Sequence, residues 1–501
     1  MSKAFDKVWH DGLIFKLKQN GVEGKFLDLL KNYLNNRYQR VTLNGNSSDW
    51  GPIKSGVPQG SVLGPLLFLV YINDLEHGIK SKVKFFADDT SLFSIVRDPK
   101  ISANELNHDL ALINQWAWKW KMSFTPDPTK PAQEVLFSHK NNSPIHPPLY
   151  FNGRQVKRVT QHKHLGLILD SKLTFADHLS SKLANARKGI GVIKHLAPYL
   201  PLKSRDQIFK MHIRPHLDYC DFIYHIPTKI SETDLLDTTQ SMNYLMKNLE
   251  RTQYQAALAV SGAWKGTSRT KIYDELGWES LEDRRTYRRI LQFYKIIKGL
   301  TPGYLREPIP PIRNHLFGNR QTNVIQNIYC RNDRFSRSFF PNSIIIWKEL
   351  GPEFRGSESL SLFKIRLLKI YRPIKKDMFD IDDYEGVKRL YQLRVGLSPL
   401  KNHKKSHNFI DTPNDICDCT HNSETTQHYL LHCINYINQR RDLFHTLNPL
   451  FEANNLRYLD DKVLLNILLY GNKSLDIPTN QLILILTIQY IKSTRRFSSD
   501  N

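Results

Sequence analysis

Two adjacent aspartates, Asp88 and Asp89, stand between apolar, aromatic-rich runs and constrain the fold more than any other feature. The runs at 83–86 and 92–96 predict half-buried strands joined by a tight hairpin with both acids at its tip. Because neighbouring carboxylates repel each other, this placement is favourable mainly when a cation binds between them. Mg²⁺ prefers such oxygen ligands and shares them with phosphates. The other interpretation is an ordinary turn, in which Asp side chains bond to nearby backbone N–H groups.

The chain of 501 residues is too long for one core and predicts roughly three domains. Its apolar (40%) and aromatic (11%) content allows substantial cores, which excludes a disordered tail. An excess of 71 Lys+Arg over 48 Asp+Glu leaves a net charge of +23, spread along the sequence. The first candidate partner is therefore a polyanion such as nucleic acid.

The five cysteines are a sparse and odd number, which indicates a reducing compartment. The N-terminus lacks a positively charged leader followed by an apolar segment. The most apolar run, 62–72, contains Gly64 and Pro65 and is too short to span a bilayer. We expect a soluble intracellular protein, nuclear or cytoplasmic, that is not secreted and has no membrane segment.

A loop rich in glycine and proline, 55–65, precedes an apolar helix. Its glycines, Gly56, Gly60 and Gly64, allow close approach of the backbone to a ligand, and Gln59 offers both a donor and an acceptor. An ordinary loop before a core helix would have a similar composition.

Helical periodicity predicts basic amphipathic helices in the middle of the chain, at 177–198, 205–219, 244–259 and 281–297. The last of them carries Arg284, Arg285, Arg288 and Arg289, which suits either a grip on a nucleic-acid duplex or a solvated basic face. Upstream, Trp116, Trp118 and Trp120 suit either a base-stacking platform or helix packing.

Three motifs in order resemble the palm of reverse transcriptases and are most similar to polymerases of non-LTR (LINE-like) retrotransposons. They are Ser2-Lys3-Ala4-Phe5-Asp6, Ser55-Gly56-Val57-Pro58-Gln59-Gly60-Ser61 and Phe86-Ala87-Asp88-Asp89. The resemblance continues at 121–124, 135–137 and 164–170. Group II intron maturases share this palm, but the segments 55–65 and 164–170 look more like the retrotransposon branch.

The resemblance implies a site in which Asp88 and Asp89 bind catalytic Mg²⁺ (or Mn²⁺). It places the Phe5 ring against the sugar 2′ carbon, and Gln59 and Gly60 against the incoming nucleotide and its template base. Lys130 is a candidate for protonating or steadying pyrophosphate, or is a surface lysine. The implied substrates are deoxynucleoside triphosphates, and the implied partners are an RNA template with a DNA primer, or an RNA–DNA duplex.

In the resembled family, a further metal ligand is an Asp two positions before the motif that begins at Ser2, which would lie just before Met1. We therefore expect an N-terminally truncated polymerase without its fingers, with an internal methionine at its start and negligible activity as given. Two alternatives are a catalytically dead nucleic-acid-binding remnant and a co-opted partner-binding protein.

Cysteine and histidine cluster near the C-terminus, where Cys417, Cys419, His428 and Cys433 resemble the zinc knuckle of non-LTR retrotransposon tails. Thiolates and imidazoles at these separations can close a tetrahedral Zn²⁺ site. Only Asp418 separates the first two cysteines, a tighter spacing than Cys-x-x-Cys, so His421 or His432 could substitute as a ligand. The bland alternative is a set of free thiols and solvent-facing histidines.

The expected fold class is α+β. We expect an incomplete right-hand polymerase palm with an antiparallel sheet over 1–176, followed by a helical thumb-like region over 177–300. A connector module is expected over 301–370, and a C-terminal helical domain with the zinc knuckle over 371–501.

Overall fold

The computed structural model describes residues 3–124, 132–140, 145–225, 239–317, 320–371, 381, 383–456 and 459–497. The chain divides into two compact units, Met1–Thr174 and Phe175–Asn501. The fold is a mixture of helices and small sheets. None of the described helices combines the length and the apolar character that crossing a membrane requires.

The first unit contains four α-helices, a short 3-10 helix (Phe5–Lys7) and twelve short strands among its described residues. The helices are α1 (His10–Gln19), α2 (Gly24–Leu34), α3 (Leu63–Ile72) and α4 (Pro99–Lys119). The strands are β1 (Tyr38–Gln39), β2 (Thr42–Leu43), β3 (Asn46–Ser47), β4 (Gly51–Pro52), β5 (Lys82–Phe86), β6 (Asp89–Phe93), β7 (Gln133–Glu134), β8 (Tyr150–Phe151), β9 (Arg154–Gln155), β10 (Lys157–Arg158), β11 (Gln161–His164) and β12 (Leu167–Asp170).

The second unit is mainly helical. Its helices are α5 (Ala176–Leu196), α6 (Leu202–Ile208), α7 (Arg214–Asp218), α8 (Asp221–Tyr224), α9 (Thr239–Ser261), α10 (Arg269–Leu276), α11 (Leu281–Ile297), α12 (Asp333–Ser336), α13 (Phe339–Glu349), α14 (Pro352–Arg355), α15 (Leu360–Tyr371), α16 (Tyr384–Val395), α17 (Lys401–Ser406), α18 (Ile437–Ala453), α19 (Asp461–Tyr470) and α20 (Ile477–Ser493). One hairpin, β13 (Ile312–Phe317) with β14 (Arg320–Ile325), interrupts them.

Every sheet in the described part of the chain has two strands, and six of the seven pairs are antiparallel. The exception is β7 with β10, which pair in parallel. The expectation of an antiparallel sheet is therefore wrong for this pair. The chain between β7 and β10 is long enough for the crossover that a parallel pair needs.

A hydrophobic core built from α1, α2, α3 and the end of α4 lies in the first unit, and a smaller separate cluster contains Ala103, Leu149 and Val156. Leu13, Leu30 and Phe68 are fully buried members, each placed by the helical period of its own segment. Phe5 and Phe85 are half-buried and pack against the same core. The segment around Phe5 and the strand that leads to Asp88 are thus fixed to one body.

The three tryptophans near the end of α4 have different roles. Trp120 is buried and Trp116 is half-buried, and both surround the buried Lys16 ammonium, which lies 3.8 Å from the Trp120 ring centroid. That ammonium also donates 2.5 Å hydrogen bonds to the Tyr71 carbonyl and Asp74. Packing is therefore the role of Trp116 and Trp120, whereas Trp118 is 87% exposed.

In the second unit, α11 shares a core with residues that follow the proline-rich segment 301–311. Phe293 and Tyr294 of α11 pack with Ile344, Trp347 and Phe363. The Tyr294 ring stacks on Phe363 with centroids 4.1 Å apart. The segment 301–370 is therefore anchored on α11 by apolar contact, while its function stays unassigned.

Candidate active site and candidate metal centre

The two aspartates lie at the tip of the β5–β6 hairpin, as the sequence predicts. Phe86 pairs with Asp89, so Ala87 and Asp88 form a two-residue loop, and Ala87 takes the left-handed φ of 50° that such turns use. Asp89 is exposed and Asp88 is half-buried. Among the described residues, no donor forms a hydrogen bond to the Asp89 carboxylate, which leaves its oxygens available to a ligand.

The loop that carries Gln59 is bonded directly to the segment that carries Phe5. The Val57 N–H donates to the Phe5 carbonyl and the Gly56 N–H donates to the Val8 carbonyl, each at 2.8 Å. At Gly56 the backbones nearly touch, because a Cβ built there would lie 2.8 Å from the Asp6 Cα, and its φ is +95°. Only glycine fits this contact without a shift of the chain.

The side chains at this junction are partly committed to one another. The Gln59 amide donates a 2.8 Å hydrogen bond to the Asp6 carboxylate, while Gln59 and Gly60 are both exposed. The Phe5 ring stacks on Phe68 with centroids 4.4 Å apart. The structure therefore brings Phe5, Gln59 and Gly60 together in one place.

The hairpin and this junction belong to the same core through Phe85, which packs on the cluster that also receives Phe5. Asp88 and Asp89 follow Phe85 at the exposed end of the strand. Lys130 lies outside the described residues, so its role stays a prediction.

His162 of β11 is a residue near the hairpin that sequence reasoning missed. Burial and the neighbouring His164 lower the pKa of His162, while the Asp89 carboxylate opposes this by raising it. Its Nδ1 lies 2.7 Å from the Gln133 amide oxygen. The alternating pattern of residues 161–164 indicates a strand. It could not show that this strand would lie near Asp89.

The second candidate site is a buried cluster of Cys417, Cys419, His428 and Cys433. Their ligand atoms all lie within 4.8 Å of one another. The Cys417 and Cys433 sulfurs are 3.6 Å apart, and the Cys419 sulfur is 3.3 Å from His428 Nε2. A tetrahedral Zn²⁺ with bonds of about 2.3 Å to sulfur and about 2.0 Å to nitrogen needs edges of about 3.5–3.8 Å.

The local chain geometry explains how residues so close in sequence converge. Residues His428–His432 form a π-helical turn, in which the Cys433 N–H donates to the His428 carbonyl at 2.7 Å. Thr420 takes a left-handed φ of 63°, which turns the chain directly after Cys419. The side chains of Cys417 and Cys419 thus both reach the cluster, although a single residue separates them.

The two alternative histidine ligands are placed elsewhere. His432 is exposed and its Nε2 lies 2.8 Å from Asp461, and His421 is exposed with Nδ1 2.5 Å from the Cys419 carbonyl oxygen. The expected set with His428 is therefore the one that the fold brings together.

The pKa values of the three thiols in the cluster depend on burial and on hydrogen bonds. It raises the pKa of Cys417 to about 12 and also raises the pKa of Cys433. At Cys419 burial acts in the same direction, but hydrogen bonds from the His421 backbone and the other thiols outweigh it and lower the pKa. Among the described residues, the buried His428 Nδ1 has no hydrogen-bond partner, while its Nε2 lies 3.3 Å from the Cys419 sulfur.

The four arginines of α11 do not form a basic surface. Arg284, Arg285 and Arg289 are buried, with at most 4% of each side chain exposed. Arg284 binds both oxygens of Asp218, and Arg288 donates to Asp221 at 3.1 Å. For the three buried arginines both expectations, a grip on a duplex and a solvated face, are wrong: Arg284 is paired with Asp218, and Arg285 and Arg289 donate to the backbone carbonyls of Leu217 and His225.

Comparison with known proteins agrees with the palm geometry. The sequence model of the family described as Reverse transcriptase (RNA-dependent DNA polymerase) matches residues 1–168. The chain is similar to the RNA-directed DNA polymerase from mobile element jockey of Drosophila melanogaster, with 31% identity over 240 residues, 46% of this chain and 26% of that protein. It is 32% identical over 228 residues to the probable RNA-directed DNA polymerase from transposon X-element of the same species, 43% of this chain and 24% of that protein.

A more distant similarity is to a retrovirus-related Pol polyprotein from type-1 retrotransposable element R2 of Popillia japonica, 24% identical over 237 residues, 43% of this chain and 36% of that protein. The chain thus spans about a quarter of the length of the two Drosophila melanogaster relatives. Residues 1–168 are a reverse transcriptase domain. The similarity to these relatives confirms the predicted resemblance to the polymerases of non-LTR, LINE-like retrotransposons.

Proposed function

We propose that the reverse transcriptase domain uses Asp88 and Asp89 to bind Mg²⁺, or Mn²⁺, together with the phosphates of a deoxynucleoside triphosphate. The observation that carries the proposal is the exposed Asp89 carboxylate at a hairpin tip whose strand packs, through Phe85, on the core that also holds Phe5. When bound, the metal supplies charge stabilisation to the reacting phosphoryl group. The template is RNA and the primer is DNA.

The neighbouring residues bind and orient the nucleotide. The Phe5 ring, held by Phe68, limits the space at the sugar 2′ carbon and so favours deoxynucleotides. Gln59 and Gly60, exposed on the loop bonded to Phe5, contact the incoming nucleotide and its template base. Lys130 steadies the pyrophosphate in this proposal.

A metal-binding measurement tests the aspartate pair without requiring turnover. Titration of the chain with Mn²⁺, followed by electron paramagnetic resonance of the free ion, should show a site that Asp88→Asn and Asp89→Asn each weaken by about tenfold or more. Asp49→Asn, which changes an exposed carboxylate elsewhere in the domain, is the matched control. Equal Mn²⁺ affinity for all of these proteins would rule out the pair as metal ligands.

For the second site, we propose a structural Zn²⁺ bound by Cys417, Cys419, His428 and Cys433. Three buried thiols and an imidazole within 4.8 Å of one another have the donor set and spacing of a closed tetrahedral site. Five free cysteines suit an intracellular, nuclear or cytoplasmic location, where thiols stay reduced. In this proposal the helical regions 177–300 and 371–501 act as thumb and zinc-knuckle domain.

A second candidate function is binding of nucleic acid without catalysis. The exposed basic residues Arg187, Lys188 and Lys194 of α5 favour it, since they stay available to phosphates while the α11 arginines do not. RNA affinity that falls steeply with salt, without turnover, would support this function. Little RNA affinity would favour the co-opted partner-binding protein instead.

A further inference from the structure

The strands β1 to β4 form a ribbon over residues 37–54. Most of its side chains are exposed to solvent. Every residue from 38 to 50 is exposed. The set includes large apolar side chains, with Trp50 60% exposed, Leu43 71% and Val41 72%. Two-stranded ribbons are only marginally stable alone in water, and contiguous exposed apolar groups mark interaction sites. The ribbon therefore has the character of a binding surface.

Aromatic rings and arginines lie together on this ribbon. The Arg40 guanidinium lies over the Trp50 ring, 4.8 Å from its centroid, and Arg37 lies 5.4 Å from the Tyr33 ring centroid. Tyr38 is a further exposed ring, 61% accessible. Planar rings and guanidinium groups in exposed positions provide stacking faces for nucleobases and donors for phosphate oxygens.

The charge of the ribbon selects an acidic partner. The ribbon sequence contains three basic residues, Arg37, Arg40 and Lys54, and one acidic residue, Asp49. In the part of the chain that the structure describes, no carboxylate forms an ion pair with Arg40, so its charge is not neutralised within the domain. A partner protein that docks through an apolar surface would gain nothing from these positive charges. A polyanion would be attracted by them.

The ribbon also continues into the candidate active site. Strand β4 ends at Pro52, and three residues later the chain enters the Ser55–Gly60 loop that is bonded to Phe5 and Val8. A nucleic-acid strand held at that loop can extend along the ribbon without leaving the domain. Unpaired bases, which can stack on exposed rings, fit the ribbon better than a duplex.

We propose that the ribbon binds single-stranded RNA by stacking bases on Trp50, with Arg40 and Tyr38 contributing to the same surface. The identity of this strand as template rests on the proposed polymerase function. Binding itself requires only the ribbon.

The test measures affinity of the full chain for a fluorescently labelled, unstructured 20-nucleotide RNA by anisotropy, at several salt concentrations. Trp50→Ala should weaken binding by about tenfold and leave the salt slope unchanged, because it removes stacking and no charge. Arg40→Ala should weaken binding and reduce the salt slope by about one contact, about 0.7 for a single strand. Trp50→Phe, which keeps a ring, should retain most of the affinity.

Trp118→Ala is the matched control, since Trp118 is also an exposed tryptophan, on α4 of the same unit. Circular dichroism of each variant should match the unaltered chain, because the ribbon residues contribute no buried surface. RNA binding that ignores Trp50 and Arg40, or that Trp118→Ala weakens equally, would overturn the ribbon proposal alone. Trp50→Ala that instead abolishes self-association or vesicle binding, with RNA affinity intact, would also overturn it. Failure of the unaltered chain to bind RNA at all would overturn the proposed function as well.

Discussion

Gly56 is the residue on which the contact between the loop that carries Gln59 and the Phe5 segment depends. Its missing side chain lets Asp6 approach, and a Cβ there would meet Asp6 backbone atoms at 2.8–2.9 Å. Gly60, four residues later, has a similar positive φ of +81° but no atom within 4 Å of the position of a Cβ. A side chain added at Gly56 therefore introduces both a steric clash and backbone strain, whereas one added at Gly60 introduces backbone strain alone.

We expect Gly56→Ala to lower the free energy of unfolding of the first unit by more than 2 kcal/mol, about twice the effect of Gly60→Ala. Gly60→Ala adds only the left-handed strain of about 1–2 kcal/mol. Urea unfolding of both variants measures the difference. Equal effects would show that the loop can move away from Asp6 at no cost.

The free energy of unfolding of the second unit is expected to depend on pH, because His225 is buried. Burial lowers the pKa of His225 to about 4, with Arg285 and Arg289 adding to the effect and Glu282 opposing it. Between pH 6.5 and about 4 the unfolded chain binds a proton that the folded chain does not, so stability falls as the pH falls. The full loss is about 3 kcal/mol, and above pH 6.5 this contribution is constant.

His225→Gln should make this pH dependence shallower, as measured by urea unfolding at a series of pH values from 4 to 8. It should not abolish the slope, because burial also lowers the pKa of His403 to about 4. An unchanged slope in the variant would mean that the His225 ring is solvated in the folded protein.

At the scale of single residues, the hairpin-tip position of the aspartate pair and the convergence of Cys417, Cys419, His428 and Cys433 could be predicted because both depend on local order along the chain, whereas the roles given to Phe5 and Gln59 rest on the family resemblance and stay predictions. The sequence could not identify His162 or Lys16. Their surroundings come from residues far apart in sequence, such as Asp89 for His162 and Asp74 for Lys16.

At the scale of elements, α11 shows why a charged helix is hard to assign from its own sequence. Its predicted bounds, 281–297, are those observed, because the apolar period is local. The pairing of Arg284 and Arg288 depends on Asp218 and Asp221, which come from α7 and α8. Burial alone would raise the pKa of Asp218, but Arg284, with Arg214 and Arg288, outweighs it and holds the pKa below its ordinary value.

We expect Arg284→Ala to lower the free energy of unfolding of the second unit by about 3–5 kcal/mol, because it leaves the carboxylate of Asp218 buried with fewer partners. Arg187→Ala, an exposed change on α5, should cost less than about 0.5 kcal/mol. Thermal and urea unfolding measure both. If Arg284→Ala were neutral to stability but reduced the salt dependence of RNA binding, the arginine would be a phosphate ligand and not a structural group.

At the scale of the whole molecule, the two units have separate cores, so removal of the proposed Zn²⁺ should destabilise only the unit that contains the cysteine cluster. The Cys417–Cys433 cluster is joined to the C-terminal end of the second unit through Glu424, which is buried and binds Arg496 through two hydrogen bonds of 2.7 and 2.8 Å. The Tyr490 hydroxyl also donates to the Tyr429 carbonyl, inside the π-helical turn. Opening of the cluster would therefore release the end of α20.

We expect the purified chain to retain about one Zn²⁺ per molecule, and a chelator to increase backbone hydrogen exchange in the segments 411–436 and 486–497 while exchange in the first unit stays unchanged. Cys419→Ser should reproduce this pattern without chelator, because three remaining ligands do not close a tetrahedral site. Cys330→Ser is the matched control, since Cys330 is a half-buried cysteine of the same unit outside the cluster. Zinc-free protein whose 411–436 segment is as protected as that of the untreated chain would show that packing alone, and no metal, holds the four side chains together.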